Sequence, residues 1–255
     1  METPLGLDHY HFTFVKRIMG RARSTFKRRF VCPICDYSGP FDDFYPETGA
    51  RKHARCPGCN AFERHRIQYL VLSRLLNGMN ASELTMLHFA PEAFFKDFFS
   101  KRFGRYDTAD LFMEDVDYKV DLQELPFEDH TYDFVFASHV MEHIPNDKKA
   151  IAEVKRILKP GGMAILPVPI VADKTVEYPE PNPYESNHVR APGLDYFDRY
   201  RLIFAKVDLF GSDAFPTRYQ LYIYEDRSGY PTARSPLRPS MPGKKHIDIV
   251  PVCYA

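Results

Sequence analysis

The stretch that decides the fold is residues 121–166, "DLQELPFEDHTYDFVFASHVMEHIPNDKKAIAEVKRILKPGGMAIL". Its apolar run "YDFVFAS" is typical of a buried strand, and "DKKAIAEVKRILKPGG" predicts an amphipathic helix that Pro160 and two glycines end. One face of this helix carries four apolar residues: Ile151, Val154, Ile157 and Leu158. The following run, "MAILPVPI", predicts another strand. A strand, a helix and a strand in this order predict two parallel strands joined by a crossover.

The same alternation continues on both sides of this stretch. A helix is predicted from Glu63, a strand ending at Ala90, a helix beginning at Pro91, and strands ending near Asp110 and Asp121. Downstream, "GLDYFDRYRLIF" predicts a helix, "AKVDLF" a sixth strand and "RYQLYIYED" a seventh. The sequence therefore predicts an α/β fold with a Rossmann-like, seven-stranded, doubly wound sheet. Ligands of such sheets bind beyond the carboxyl ends of the strands.

Composition divides the 255 residues into four segments. Residues 1–29 form an arm whose "KRIMGRARSTFKRR" suits either contact with an anion or plain solvation, and residues 30–62 contain four of the five cysteines. Residues 63–226 form the α/β domain, and residues 227–255 are a Pro-rich tail expected to be extended. No apolar run approaches the ~18 residues of a membrane span, so a soluble, cytoplasmic protein is expected. The oligomeric state stays open.

The cysteines follow the pattern Cys32-x2-Cys35-x20-Cys56-x2-Cys59. Two C-P-x-C knuckles supply the four thiolates that a tetrahedral structural zinc ion prefers, so a zinc ribbon is predicted. A module this small gains much of its folding free energy from the metal. Bracing, a substrate lid, nucleic-acid contact or protein contact all remain open as its role, because basic residues surround the knuckles.

The run from Asp121 to Leu166, ending in L-K-P-G-G, resembles the class I S-adenosylmethionine (SAM)-dependent methyltransferases, in particular the methyltransferase-11-like group. The resemblance implies SAM as cofactor. It also implies that Asp110, followed by Leu111, binds the ribose hydroxyls, that Asp121 with Leu122 binds the adenine, and that Ser138 lies at the end of strand four.

The chain departs from this family after the first strand. Where the family has a glycine-rich loop, this sequence has "LHFAPE". We expect His88, Ala90 and Glu92 to provide the cofactor contacts of that loop, with Glu92 near the methionine ammonium of SAM.

The segment His139-x-x-Glu142-His143 matches a zinc-peptidase pattern, but Pro145 leaves too little helix for that use. Some methyltransferases that this chain resembles have E-x-x-E-H here and bind a divalent ion. The resemblance thus suggests a second metal site of His139, Glu142, His143 and His188. Without a metal, His139 or His188 is a candidate general base, and His143 is a further candidate catalytic residue. The remaining alternative is that Glu142 and His143 simply order the loop.

The expected function is SAM-dependent O-methylation of a polar small molecule or saccharide. The alternatives are an RNA or nucleotide methyltransferase that uses the basic zinc ribbon, and a non-enzymatic binding module that has lost SAM.

Overall fold

The structure is a computed structural model that describes residues 28–255. The predicted basic arm, residues 1–29, lies almost wholly outside the described residues. The described chain divides into two compact units, one of residues 28–73, 211–228 and 242–248, the other of residues 74–210, 229–241 and 249–255. Within residues 28–255, no helix is both long enough and apolar enough to cross a bilayer.

The first unit contains the cysteines. Strand β1 (Phe30–Val31) pairs antiparallel with β2 (Ser38–Gly39), β3 (Asp42–Phe44) pairs antiparallel with β4 (Arg51–Arg55), and helix α1 (Glu63–Leu76) follows. The later segments of the unit join it through the bridges Lys52–Tyr224 and Ile223–His246.

The second unit is built on a seven-stranded sheet. Its strands in spatial order are β12 (Lys206–Gly211), β13 (Ile249–Tyr254), β9 (Leu158–Ile165), β8 (Tyr132–Ala137), β5 (Thr85–Phe89), β6 (Arg105–Asp110) and β7 (Tyr118–Lys119). The five strands from β9 to β7 are parallel, and β13 runs antiparallel to β9. The predicted Rossmann-like, seven-stranded sheet is therefore confirmed.

The second unit also contains helices and a hairpin. The helices are α2 (Ala93–Ser100), α3 (Asp147–Ile157) and α4 (Phe197–Arg201), and β10 (Val176–Asn182) pairs antiparallel with β11 (His188–Ala191). Short 3-10 helices lie at Ala81–Glu83, Met141–His143, Pro183–Glu185, Leu194–Tyr196, Ser212–Ala214 and Thr217–Tyr219.

Apolar periodicity explains how α3 packs. Asn146 caps it by accepting a hydrogen bond from the Lys149 amide, and Ile151, Val154 and Ile157 on one face are fully buried. Leu158, which the pattern assigned to this helix, is instead the first residue of β9. The helix therefore ends before its proline.

The seventh strand was predicted wrongly. Residues 218–226 form part of a 3-10 helix and isolated bridges within the first unit. The last sheet position is filled by β13, so the end of the predicted extended tail, 227–255, belongs to the sheet. The physical reason is burial, because Val250, Val252 and Cys253 are completely covered. The other predicted domain limits stay predictions.

Candidate functional site

The carboxyl ends of β5, β6 and β8 lie side by side. Phe89 pairs in register with Ala109 on one side and with Ala137 on the other. Ala90, Asp110 and Ser138, which directly follow these residues, are therefore brought to one edge of the sheet. This is the edge at which doubly wound sheets bind ligands.

Ala90 lies in the loop after β5, where the family that this chain resembles has a glycine-rich loop. Its φ of 47° lies in the left-handed region, and its amide donates to Ala109 O at 3.0 Å. For a residue with a β-carbon this conformation costs about 1–2 kcal/mol. The loop after β5 is thus held in a strained turn, a feature that clusters at functional sites.

Asp110 and Asp121 both accept hydrogen bonds from their own loops. Asp110 Oδ1 accepts from the amides of Phe112 and Met113, at 2.7 and 2.8 Å. Asp121 Oδ1 accepts from the Gln123 amide at 2.8 Å, and both of its carboxylate oxygens contact the Gln123 side-chain amide. Leu111 is about half exposed beside Asp110, whereas Leu122 is buried.

The structure separates the other two predicted loop residues. His88 is fully buried, with its ring against Phe99 and Phe136 and its Nδ1 2.8 Å from the Tyr106 hydroxyl. Burial lowers the pKa of its imidazole to about 3. His88 is therefore placed in the aromatic core rather than at the edge, whereas Glu92 directly precedes α2 as its N-cap residue.

Glu142, His143 and His188 form a compact cluster. Each side chain offers a ligating atom, and these atoms lie within 4.8 Å of one another. The rings of His143 and His188 meet edge to face at 4.7 Å between centroids. His139, predicted as a fourth member, lies outside this group of three, but its Nδ1 is 3.3 Å from Glu142 Oε1.

In the described part of the chain, Glu142, His188 and the neighbouring His139 have buried polar atoms without hydrogen bonds. Within residues 28–255, neither carboxylate oxygen of Glu142 accepts one, and the same holds for His139 Nε2 and His188 Nδ1. Burial alone raises the pKa of the Glu142 carboxyl, but the imidazoles of His139, His188 and His143 outweigh it and bring that pKa below its usual value. Burial also lowers the pKa of His188 to about 4, against the opposing effect of Glu142. The cluster thus combines a buried carboxylate with exposed His143, an arrangement that suits a cation or a polar ligand.

Sequence reasoning missed Arg190, which joins the two halves of the cluster. Its guanidinium is buried and donates to the carbonyls of Met141 (2.6 Å), Ile144 (2.8 Å) and Pro145 (3.1 Å). These carbonyls flank the turn that carries Glu142 and His143, while Arg190 itself lies two residues after His188. No local pattern in "HVRAP" signals such a contact.

Acidic residues form ion pairs with Arg190. Arg190 Nε donates to Glu177 at 3.0 Å, and Asp147 lies 3.7 Å away. Arg199 pairs with the same two carboxylates, and the Tyr196 hydroxyl donates to Asp147 at 2.6 Å. The turn before α3 and the hairpin strand β11 are therefore fixed by one ionic network.

In the first unit, the four predicted metal-ligating cysteines converge. Their sulfurs lie within 4.8 Å of one another, with Cys32 to Cys59 at 3.6 Å and Cys35 to Cys56 at 3.7 Å. A tetrahedron with zinc–sulfur bonds of about 2.3 Å has edges of about 3.8 Å. The four thiols thus have the spacing of a structural zinc site.

The two knuckles are built alike. In each one the residue after the second cysteine, Asp36 or Asn60, is left-handed, with φ of 58° and 63°. Each of these residues donates its amide to the carbonyl of the first cysteine of its knuckle, at 3.0 and 2.8 Å. Aspartate and asparagine tolerate this conformation better than other side chains, so the sequence itself favours both turns.

Basic residues around the cysteines are largely paired within the unit. Arg51 forms an ion pair with buried Glu63 at 2.8 Å, Arg55 contacts Asp42 at 3.6 Å, and His53 lies 3.8 Å from Asp43. Buried Arg66 donates to four backbone carbonyls, those of Ala54, Ala61, Tyr219 and Gln220. These side chains brace the unit through contacts within it.

Comparisons with known proteins find similarity to methyltransferases over part of the chain. Residues 84–166 match the Methyltransf_11 family, described as "Methyltransferase domain". The sterol 4-C-methyltransferase strm-1 of Caenorhabditis elegans is 46% identical over 46 residues, which are 18% of this chain and 14% of that protein. A demethylmenaquinone methyltransferase of Staphylococcus aureus strain JH9 is 42% identical over 45 residues, 18% of this chain and 19% of that protein. The chain therefore spans less than a fifth of these curated relatives.

Among solved structures, the S-adenosylmethionine dependent methyltransferase from Mesorhizobium loti is similar with a TM-score of 0.47 and 16% identity. The similarity covers 75% of this chain and 99% of that one.

Proposed function

We propose that this chain is a SAM-dependent methyltransferase that transfers the methyl group to a hydroxyl oxygen of a polar small molecule or saccharide. The observation that carries the proposal is the edge at which Ala90, Asp110 and Ser138 meet, on a sheet whose central segment matches a methyltransferase domain. SAM, when bound, supplies an electrophilic methyl group on a sulfonium. The chain contributes the binding, the orientation and the removal of one proton.

The residues at this edge fit SAM. Asp110 uses Oδ1 for its loop, and within residues 28–255 no hydrogen bond to its Oδ2 occurs, which leaves one oxygen for ribose hydroxyls. Asp121 is proposed to accept from the adenine amino group, with Leu122 beside it, and Ala90, Leu111, Glu92 and Ser138 complete the pocket. His88 is proposed to support the loop from the core.

The acceptor proton is assigned to the cluster of Glu142, His143 and His188. A hydroxyl placed there can lose its proton to an imidazole nitrogen, with Glu142 stabilising the cation that forms. The cluster also fits a divalent metal, because Glu142 and His188 offer buried atoms that lack hydrogen bonds within residues 28–255. Such an ion would hold the acceptor oxygen and lower its pKa, with His139 as a further contact of Glu142.

The four cysteines are proposed to hold a structural zinc ion. The sulfur spacing and the two matching knuckles support this assignment, and four sulfur ligands leave no position open for a substrate. Unpaired thiols that bind metal also suit a reducing, cytoplasmic compartment.

Calorimetry with SAM tests the proposal directly. We expect saturable binding that Asp110→Asn weakens about tenfold or more, because the amide keeps an acceptor for the loop but loses the charge. Asp115→Asn is the matched control, since Asp115 is an almost fully exposed acid of the same loop. If the unsubstituted chain fails to bind SAM at high micromolar concentration, the protein is the non-enzymatic binding module instead.

Manganese titration of the zinc-loaded chain tests the second metal. Binding that Glu142→Gln abolishes supports the ion. Unchanged turnover in a chelator that leaves zinc in place would assign the proton to a histidine base alone. Salt-sensitive binding of RNA would favour the RNA methyltransferase over the small-molecule enzyme.

A further inference from the structure

The β10–β11 hairpin and the Pro-rich segment of residues 229–241 border an open cavity of about 260 Å³. Residues 178–184 of the hairpin line one side of it, and Arg234, Pro236 and Leu237 line the other. The Pro-rich segment was predicted to be an extended tail, yet here it forms a wall.

The wall is fixed to the hairpin by specific contacts. The Asn182 side-chain amide donates to Ser235 Oγ at 3.3 Å and to Glu185 at 3.0 Å, and the Arg234 guanidinium lies over the Tyr184 ring at 5.2 Å. Buried Arg238 stacks on Tyr230 at 4.2 Å and so braces the segment from within. The cavity is therefore a built feature of the fold.

This cavity shares its hairpin with the proposed acceptor site. Asn182, which lines the cavity, is the register partner of His188 across the two strands. His188 in turn meets His143 in the cluster. The cavity thus lies next to the strand position that carries His188, and a ligand that extends beyond the lining residues would reach toward the imidazoles.

The lining determines the kind of ligand. Four proline rings and the rings of Tyr178 and Tyr184 provide flat apolar surfaces, while Asn182 Oδ1, which accepts from the Tyr184 amide, keeps one lone pair as an acceptor. Glu180 and Arg234 are the only charged lining residues among those described, so the wall has no net charge. A nucleic-acid backbone requires an excess of positive charge, which this lining lacks.

We propose that the cavity is the acceptor subsite and that it binds an uncharged saccharide unit. The apolar C–H faces of a sugar ring pack against proline and tyrosine, and its hydroxyls hydrogen-bond to Asn182, Glu180 and Arg234. The volume suits a small group such as one sugar ring, because pockets for drug-sized ligands are larger, at roughly 300–1,000 Å³. This inference rests on the proposed methyltransferase function and narrows its acceptor class.

Tyr184→Trp gives a direct test, since the chain contains no tryptophan. In the full-length, zinc-loaded protein, methyl glycosides of neutral hexoses and N-acetylhexosamines should change the fluorescence of this single reporter in a saturable way. Tyr45→Trp, at an exposed tyrosine of the first unit, should report no change. Nucleoside monophosphates that bind better than every glycoside would overturn the proposal, as would the absence of any saturable glycoside signal.

A second comparison does not depend on the reporter. Saturation-transfer NMR should detect the glycoside on the unsubstituted chain, and Leu237→Asp should weaken its binding about tenfold by placing a charge in the lining. Leu202→Asp, at a more exposed leucine outside the cavity, should leave it unchanged. Equal effects of the two substitutions would overturn the subsite. Calorimetry with SAM separates the two claims, because glycoside binding without SAM binding keeps the subsite and rejects the methyltransferase.

Discussion

The four cysteines and the cluster of Glu142, His143 and His188 are both groups of ligating side chains, but the chain assembles them differently. The cysteines come from two short knuckles, each fixed by its own backbone hydrogen bonds and a left-handed Asp36 or Asn60. The cluster joins a turn after β8 to a strand 45 residues later, because Arg190 holds the two together. The first group is local and the second depends on tertiary packing.

The two groups also differ in what they leave open. Four sulfurs complete a tetrahedron, whereas one carboxylate and two imidazoles leave coordination positions for a substrate. Cys32 and Cys56 are fully buried, but His143 is exposed. A closed site suits stability and an open one suits chemistry, and the following substitutions test that difference.

The largest effect is expected for Cys32→Ser combined with Cys56→Ser. One ligand is lost from each knuckle, so the chain should lose its zinc and, with it, on the order of 10 kcal/mol of metal-binding free energy. Metal analysis measures the bound zinc. Limited proteolysis of the full chain measures how readily residues 28–73 are cleaved. Cys253→Ser, at a buried cysteine of the second unit, should keep a full equivalent of zinc. Retained zinc in the double variant would show that the knuckles are not the site.

The next effect concerns Glu142→Gln. Turnover should fall about 100-fold or more because the buried charge is lost, while SAM affinity should stay within a few-fold. Thermal stability at neutral pH should fall modestly, because the imidazoles that lower the pKa of Glu142 favour its charged form in the folded chain. Glu153→Gln, which alters an acid paired with Arg156 on α3, serves as the control for activity. A loss of stability without loss of turnover would make Glu142 a structural residue.

Arg190→Met tests the connection within the cluster. Three carbonyls and nearby carboxylates lose their buried donor, so we expect the free energy of unfolding to fall by about 2–4 kcal/mol. Turnover should drop about tenfold with unchanged SAM affinity, and Arg190→Lys should restore part of both.

Arg156 provides the matched comparison. It also donates to two loop carbonyls, those of Phe127 and Leu125, and pairs with Glu153, but it lies outside the cluster. Arg156→Met should lower stability and leave turnover per folded molecule unchanged. If the two arginine variants behave alike, Arg190 has no positioning role.

Features that depend on local contacts were predictable from the sequence, and features that depend on distant contacts were not. The cysteine site and the parallel strands were predictable, because knuckle spacing and apolar periodicity are local signals. Arg190 and β13 were not, because each depends on partners far away in the chain. His88 shows a third limit. Its strand is buried on both faces, so the sequence did not reveal which face the imidazole occupies.

The smallest effect is expected on the pH dependence of stability. This dependence distinguishes the Glu142 cluster from the buried His88. Burial lowers the pKa of His88 to about 3, against about 6.5 in the unfolded chain. Between these values the unfolded chain binds a proton that the folded chain does not. The contribution of His88 is therefore fully present above pH 6.5 and falls by up to about 1.4 kcal/mol per pH unit below it. Urea denaturation at pH 7 and pH 5 should reveal this slope. His88→Gln should flatten it, whereas Glu142→Gln should leave the part due to His88 in place. An unchanged slope in His88→Gln would assign the acid sensitivity to the cluster instead.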